Sequence, residues 1–274
     1  YSFNPTLVSV QPFPLEESEK DKQAFVDLVN KTKTAINSGL LKKLVLSRKI
    51  EIKKKIHPFG SFNNLLHLYP QAMVYFWHHP IAGMWIGASP ERLLGIDEYG
   101  LKTMSLAGTL PFNSKEIYHW GAKEKLEQEL VTQSIKKVLG DLFKEEDIEC
   151  SKTYTKRAGN LVHLCNDISV NKANVSVERM IKNLHPTPAV AGIPKQEGLD
   201  FIASNEKFDR QYYSGYMGDV DLLGERNLYV NLRCAQLKRE SISLYVGAGI
   251  TAESDAEQEW EETQNKAQTI LLAL

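Results

Sequence analysis

Cysteine is scarce in this chain of 274 residues: Cys150, Cys165 and Cys234 are all it has. The number is odd, and no Cys-x-x-Cys pair or Cys/His metal spacing goes with them. That excludes a disulfide-stapled scaffold and a zinc-finger-like site, and it points to a reducing, cytoplasmic compartment. Each cysteine reads as a small core or surface residue rather than a nucleophile. A dominant charge is missing too. Lys plus Arg number 33 and Asp plus Glu 34, for a net charge of −1, and the basic runs (EIKKKIH at 51–57, KRAGN at 156–160) are short. Nothing here calls for nucleic acid or an anionic membrane surface as a partner. No apolar run approaches the roughly 20 residues of a bilayer-spanning helix, and there is no internal repeat or low-complexity stretch. No signal-peptide pattern opens the chain; residue 1 is Tyr, so the sequence is expected to begin inside a longer one. What remains is 42% hydrophobic and 24% charged, the make-up of a globular protein with core material for one large domain or two smaller ones. No large apolar surface patch is marked, so a monomer is the expectation.

Apolar spacing at Phe25, Leu28, Val29, Thr32 and Ile36 predicts a helix over 18–38, ended by Gly39. Further helices are expected at 60–69, at 114–139 with Gly140 as the stop, at 175–182, at 195–204 and from 254 onward. Strands are expected at 43–52, then as a meander at 72–79, 81–88, 91–97 and 100–106, then near 147–154, 160–169, 215–222, 227–239 and 241–249. HPTPAVAGIPK at 185–195, rich in proline, reads as a rigid loop. The fold class is α+β: large, mainly antiparallel sheets with helices packed outside, and no linker to divide the chain.

Three polar features sit where apolar ones belong. In LKKLVLSRK (41–49), period-2 alternation puts Lys43 on one face with Val45 and Ser47, and Leu44 with Leu46 on the other. A strand this apolar is covered on both faces. Lys43 is then either a frayed strand entrance that snorkels to water, or a buried lysine with a lowered pKa, able to act as a base. In the helix at 114–139, Leu126, Leu130, Val131 and Val138 define the buried arc; Glu127 falls inside it and Glu124 at its edge. A lone buried carboxylate needs a cation, a proton or strong donors. In the last helix, opened by a Ser254/Glu257 capping box, the apolar stripe is Trp260, Ala267, Ile270, Leu271 and Leu274, with Glu259, Glu262 and Lys266 directly beside it. Those three fit a solvated helix flank. Yet two helices that each offer a Glu-x-x-Glu pair also suit a hard cation between them. Oxygen ligands without His or Cys favour Mg²⁺ or Ca²⁺ over zinc.

Eight stretches, in order along nearly the whole chain, resemble one family: KKLVLSRK (42–49), GASPERLL (87–94), SLAGTLP (105–111), LHPTPAVAGIPK (184–195), FDRQYYSGYMGDV (208–220), NLRCAQL (231–237), VGAGITAESDAEQEWEET (246–263) and NKA (265–267). They are similar to the chorismate-utilising enzymes, which include isochorismate, salicylate, anthranilate and aminodeoxychorismate synthases. The resemblance implies a single chorismate-binding catalytic domain over 1–274 that lacks a further N-terminal segment carried by family members. It implies chorismate, a small dicarboxylate, as substrate and Mg²⁺ as cofactor. Glu127 and Glu262 match the metal ligands, with Glu124 and Glu259 as close supporters. Arg233 and Lys266 match residues that bind substrate carboxylates, for which a guanidinium fork is suited. Gly108 and Thr109, with Gly247 and Gly249, match positions where backbone approaches the ligand; on spacing alone the glycines read equally as strand-end turns. Tyr213, Leu232 and Ala189 match pocket-lining positions, and His163 a histidine near the substrate ring, though a lone histidine on an apolar strand is more commonly a core residue. Lys43 matches the general base that activates water for attack at C2, and Glu91 of SPE the general acid at the C4 hydroxyl.

The loop around Ala189 resembles that of isochorismate synthases, which feed menaquinone or siderophore synthesis. The lysine-bearing loop of aminodeoxychorismate synthases and the Ser/Gly-rich loop of anthranilate synthases are absent. The alternatives are a salicylate synthase, which shares Lys43 and Glu91 and adds loss of pyruvate, and a non-catalytic carboxylate-binding fragment.

Overall fold

The computed structural model describes residues 15, 17–114, 117–171, 176–220 and 226–274. Helix α1 (Glu19–Asn37) opens on a capping box between Ser18 and Asp21 and buries Phe25, Val29, Thr32 and Ile36, four of the five predicted positions. Gly39, at φ +83°, turns the chain out of it. Then follow β1 (Lys43–Ile52), α2 (Pro58–Leu68), β2 (Met73–His79), β3 (Gly83–Ser89), β4 (Arg92–Ile96), β5 (Leu101–Pro111) and α3 (Ala122–Gly140). The middle of the chain forms β6 (Ile148–Cys150), β7 (Tyr154–Ala158), β8 (Leu161–Val170), α4 (Val177–Leu184), β9 (Gly192–Ile193) and α5 (Lys195–Asn205). The rest forms β10 (Tyr216–Val220), β11 (Arg226–Val230), β12 (Cys234–Leu237), β13 (Ile242–Ile250) and α6 (Ala256–Leu271).

The strands make two sheets, one in the order β2-β3-β12-β13-β1-β9 and one in the order β10-β11-β4-β5-β8-β6, with β7 also on β8. The long pairings, β1 on β13 and β5 on β8, are antiparallel, so the expected α+β class holds. Helices α2 and α6 cover the first sheet through Leu65, Ile270 and Leu271 against Ile50, Ile86 and Leu244. Helix α1 closes the other end of that sheet with Phe25 and Val29 against Leu44, Leu46 and Trp260. Helices α3 and α4 cover the second sheet, with Val131, Ile135, Leu139 and Met180 on Leu94 and Ile168. Each fully buried side chain of this kind contributes about 1.5–3 kcal/mol.

The structure departs from the sequence expectations where the chain changes sheets. The predicted meander is two hairpins in different sheets: β2 and β3 in the first, β4 and β5 in the second. The crossing falls at 90–91. The predicted strand 227–239 is likewise broken, β11 lying in the second sheet and β12 in the first. That crossing falls at 231–233, where Arg233 adopts φ +50°. Because β12 pairs with β3 and β11 with β4, the two crossings run side by side. The Val230 N–H donates to the Glu91 carbonyl at 3.0 Å, and the Ala88 N–H to the Arg233 carbonyl at 3.0 Å. Glu91 and Arg233 therefore stand together where the two sheets part.

Helix α3 begins at Ala122, not 114. Tyr118 Oη accepts from the Asn113 N–H at 2.8 Å, and the Trp120 indole donates to Thr155 Oγ1 at 2.9 Å. These contacts hold 117–120 off the helix axis, and Gly121 is the N-cap; residues 115–116 lie outside the described set. Gly140 is the last helical residue rather than the stop beyond it. The buried arc is rotated from the predicted one. It runs through Glu127, Gln128, Val131, Thr132, Ile135 and Leu139, while Leu126 is 39% exposed. In α6 the predicted capping box does not form. Asp255 is the N-cap and accepts from the Gln258 N–H; Ser254 Oγ accepts instead from the Thr251 N–H at 3.0 Å, and Glu257 pairs with Lys22 at 2.6 Å. The strand expected at 147–154 is split between β6 and β7. Within the proline-rich loop, β9 pairs with Lys43 and Leu44. Residues 175 and 221–222, ends of a predicted helix and strand, fall outside the described residues.

Candidate active site

Lys43 is the first residue of β1 and is 0% exposed. It is not a frayed entrance. β9 closes its strand on one side and β13 on the other, and its ammonium donates to the Pro188 carbonyl at 2.7 Å. The second partner is Glu127 Oε1, 3.3 Å away. Gly249 makes that pair possible: a Cβ there would lie 1.9 Å from Glu127 Oε1 and 3.3 Å from Lys43 Cε. Burial lowers the Lys43 pKa and Glu127 opposes the shift. Glu91 is equally buried, and Thr187 Oγ1 donates to it across a long 3.4 Å. Burial pushes its carboxyl up to about 7, against the pull of Lys43.

A cavity of about 60 Å³ lies between the sheets, walled by Glu91, Gly108, Thr109, Glu127, His163, Ala189, Tyr213, Leu232, Arg233, Gly247, Gly249 and Lys266 among others. Arg233 donates through Nη1 to Thr269 Oγ1 at 2.9 Å and through Nη2 to His163 Nε2 at 3.1 Å. An arginine has no acceptor, so His163 must accept at Nε2 and carry its proton on Nδ1. That N–H faces the Gly108 carbonyl at 2.8 Å, with Thr109 Oγ1 at 3.3 Å. Burial, with Arg233 and Lys266 nearby, pushes the imidazole down to about 3, so it stays neutral. Burial also brings Arg233 down to about 10, still charged at neutral pH. Lys266 donates to Glu262 Oε1 at 2.7 Å and to the Gly247 carbonyl at 2.9 Å. Tyr213 stacks on Tyr245 with ring centres 5.8 Å apart.

The acids of the two helices come together around a residue that sequence reasoning missed. Lys123 Nζ lies 2.9 Å from Glu259 Oε1, 3.6 Å from Glu127 Oε2 and 3.7 Å from Glu262 Oε2. Its signal in the sequence is its place one helical turn before Glu127. Burial pushes the Glu262 carboxyl up, but Lys266 and Lys123 outweigh it and hold it at about 2. Glu259 is pushed up to about 7 by burial and by Glu262. Lys43, Glu124, Glu259 and Glu262 stand behind the cavity wall rather than in it. Glu124 turns back over the N-terminus of α3, its Cβ against Gly108 and its carboxylate against Gly121. The donor set suits a hard cation: only carboxylate oxygens, of which Glu127 Oε2 and Glu259 Oε2 are buried without a hydrogen-bond partner. As they stand, no three such groups among the described residues are close enough to hold one, and the ammonium of Lys123 lies within 3.7 Å of all three acids.

A second missed group fixes the loop over Lys43. Arg210 donates to the Val190 carbonyl at 2.8 Å and the Val45 carbonyl at 2.9 Å. Its partner Glu206 accepts from the Ser47 N–H at 2.7 Å. The end of α5 and the proline-rich loop are thus tied to β1.

Three comparisons bear on this arrangement. The family model described as "Chorismate binding enzyme" matches residues 5–274. The chain is 30% identical to isochorismate synthase MenF of Escherichia coli over 97% of its own length and 65% of that protein's. It is 33% identical to isochorismate synthase EntC of Escherichia coli, over 92% of its own length and 67% of that protein's. The solved structure of menaquinone-specific MenF from Escherichia coli superposes with a TM-score of 0.82 at 29% identity, over 97% of this chain and 66% of that one. The chain thus spans about two thirds of the length of these relatives. With a family model matched from residue 5 to the last residue, it belongs to the chorismate-binding enzyme family.

Proposed function

We propose that the chain is an isochorismate synthase, converting chorismate to isochorismate by adding water at C2 and losing the C4 hydroxyl. The observation that carries this reading is the pair of Lys43 and Glu91. Both are buried at one site, and their pKa values are pushed toward each other, the lysine down and the glutamate up to about 7. Burial opposes the charge on each group, which is the direction a general base and a general acid need. In the reaction, Lys43 takes a proton from water as its oxygen bonds to C2. The ring double bonds shift, the C4–O bond breaks, and Glu91 gives its proton to the departing hydroxyl, which leaves as water. One water enters and one leaves, so the reaction is an isomerisation. The lysinium and carboxylate left behind return to their starting state by exchanging the proton.

Arg233 and Lys266 supply the positive charge that holds the substrate carboxylates, with Arg233 oriented by His163 and Thr269. Glu127, Glu259 and Glu262 would hold Mg²⁺, whose chemistry is to bind and polarise a substrate carboxylate. Among the described residues no helix is long and apolar enough to cross a membrane. The deciding experiment is incubation with chorismate, with and without Mg²⁺, and separation of the products. Isochorismate alone, formed only with Mg²⁺, is the expected result. Salicylate with pyruvate would make the chain a salicylate synthase. No turnover by folded protein would leave a carboxylate-binding domain.

A further inference from the structure

Three carboxylates converge on one ammonium, and that ammonium is partly exposed. Lys123 Nζ touches Glu259, Glu127 and Glu262 at 2.9, 3.6 and 3.7 Å. Lys43 cannot move out: it is enclosed by β9, β13 and the Pro188 carbonyl. Lys266 is pinned by Glu262 and the Gly247 carbonyl. Lys123, by contrast, is the second residue of α3, behind an N-cap glycine that makes no side-chain bond. Its side chain is 15% exposed, so rotation of its four-carbon stem carries the charge into solvent.

We infer that Lys123 is a tethered cation that occupies the place of the divalent metal in the metal-free protein, so that metal enters by exchange with it. The inference rests on the metal assignment made above. Glu127 and Glu262 each have a further lysine, Lys43 and Lys266, but among the described residues Glu259 has an ion pair with Lys123 alone; with neither metal nor Lys123 present, three close carboxylates would share two cations, and Lys123 supplies the third. It also explains why the orphaned oxygens of Glu127 and Glu259 belong to the two acids nearest the lysine. The same exchange weakens metal binding, since the ammonium must be displaced.

The test uses the wild-type chain with MgCl₂ as the only probe. Amine-reactive labelling, read by mass spectrometry, should modify Lys123 slowly in EDTA and about tenfold faster at saturating Mg²⁺. Lys123→Met, by calorimetry, should bind Mg²⁺ about tenfold tighter than wild type, which corresponds to about 1.4 kcal/mol. It should also lose thermal stability in EDTA and recover it with Mg²⁺. If Lys123→Met folds only with Mg²⁺, the exchange is supported as well. Mg²⁺ that binds the wild type while Lys123 labelling stays unchanged would overturn the exchange and leave the metal assignment standing. Mg²⁺ that produces no heat and no thermal shift would overturn both.

Discussion

Replacing Lys43 by Met tests the centre of the site in two independent ways. The side chain is fully buried, 3.3 Å from Glu127 Oε1, so the substitution leaves a buried carboxylate short of one partner. Breaking a buried pair from one side costs about 3–5 kcal/mol. Lys123 remains 3.6 Å from the other oxygen of Glu127, which puts the loss near the lower end, about 3 kcal/mol. For a chain of this size that lowers the unfolding temperature by about 6–12 °C. Glu127→Gln alone costs less, because Lys43 keeps the Pro188 carbonyl and can shed its proton. The double variant removes both charges, and a buried pair replaced by neutral groups of similar volume is often close to neutral. The cycle should therefore show a coupling of about 2–3 kcal/mol in urea or thermal unfolding. Turnover behaves differently. A missing general base costs about 10²–10⁴ in rate, so the double variant should regain stability and stay inactive. Single-variant costs that simply add would refute the buried pair, and isochorismate formation by Lys43→Met would refute the base.

Other consequences are more local. Glu91 must carry its proton to act as an acid, and its pKa is about 7, so kcat/KM should fall as pH rises beyond about 7; a flat profile up to pH 9 would exclude the role. His163 is held near 3 in the fold against about 6.5 in the unfolded chain. Protonation thus favours unfolding: its contribution is complete above about pH 6.5 and is lost as pH falls toward 3, by about 2 kcal/mol between pH 6.5 and 5. Urea midpoints at the two pH values for wild type and His163→Asn would measure it, and equal pH dependence in both proteins would dismiss it. Gly249→Ala forces a methyl group to within 1.9 Å of Glu127 Oε1; overpacking of this kind costs about 1–3 kcal/mol, and an unchanged melting temperature would show that Glu127 does not lie against β13.

Much of this was legible in the sequence because the relevant signals are local. The stripe of α1 and the apolar run of β1 are periodic, and an acid on the arc of α3 stands out against its neighbours. What periodicity cannot carry is which sheet a strand joins. The runs around 91 and 233 read as strands, yet in each the chain passes from one sheet to the other, and that passage is what brings Glu91 and Arg233 together. Cap chemistry was misread at α6 because Ser254 and Asp255 both suit an N-cap, and a tertiary bond from the Thr251 N–H claims the serine. Lys123 was passed over for a similar reason: in a first helical turn that also carries Glu124 and Lys125, one more lysine carries no mark until the acids of α6 are placed beside it.

The charge balance of the site bears on function apart from any resemblance. Lys43, Lys123, Arg233 and Lys266 stand against Glu91, Glu127, Glu259 and Glu262, and all but Lys123, Glu262 and Lys266 are buried outright. Ion pairs in such places are poor stabilisers, since apolar side chains of the same volume generally do as well or better. A fold under no demand but stability has little reason to assemble eight such ionisable side chains between two apolar sheets. The pKa values of two of the acids, Glu91 and Glu259, are raised to about 7, so near neutral pH the cluster lies between neutral and weakly positive. A dianion alone would leave it negative, and a divalent cation alone would leave it strongly positive; each would be an uncompensated burial of charge. Together they cancel, and the cluster then changes only by the charge of Lys123 that the metal displaces. An arrangement of this composition is suited to a dicarboxylate and a divalent cation as a pair.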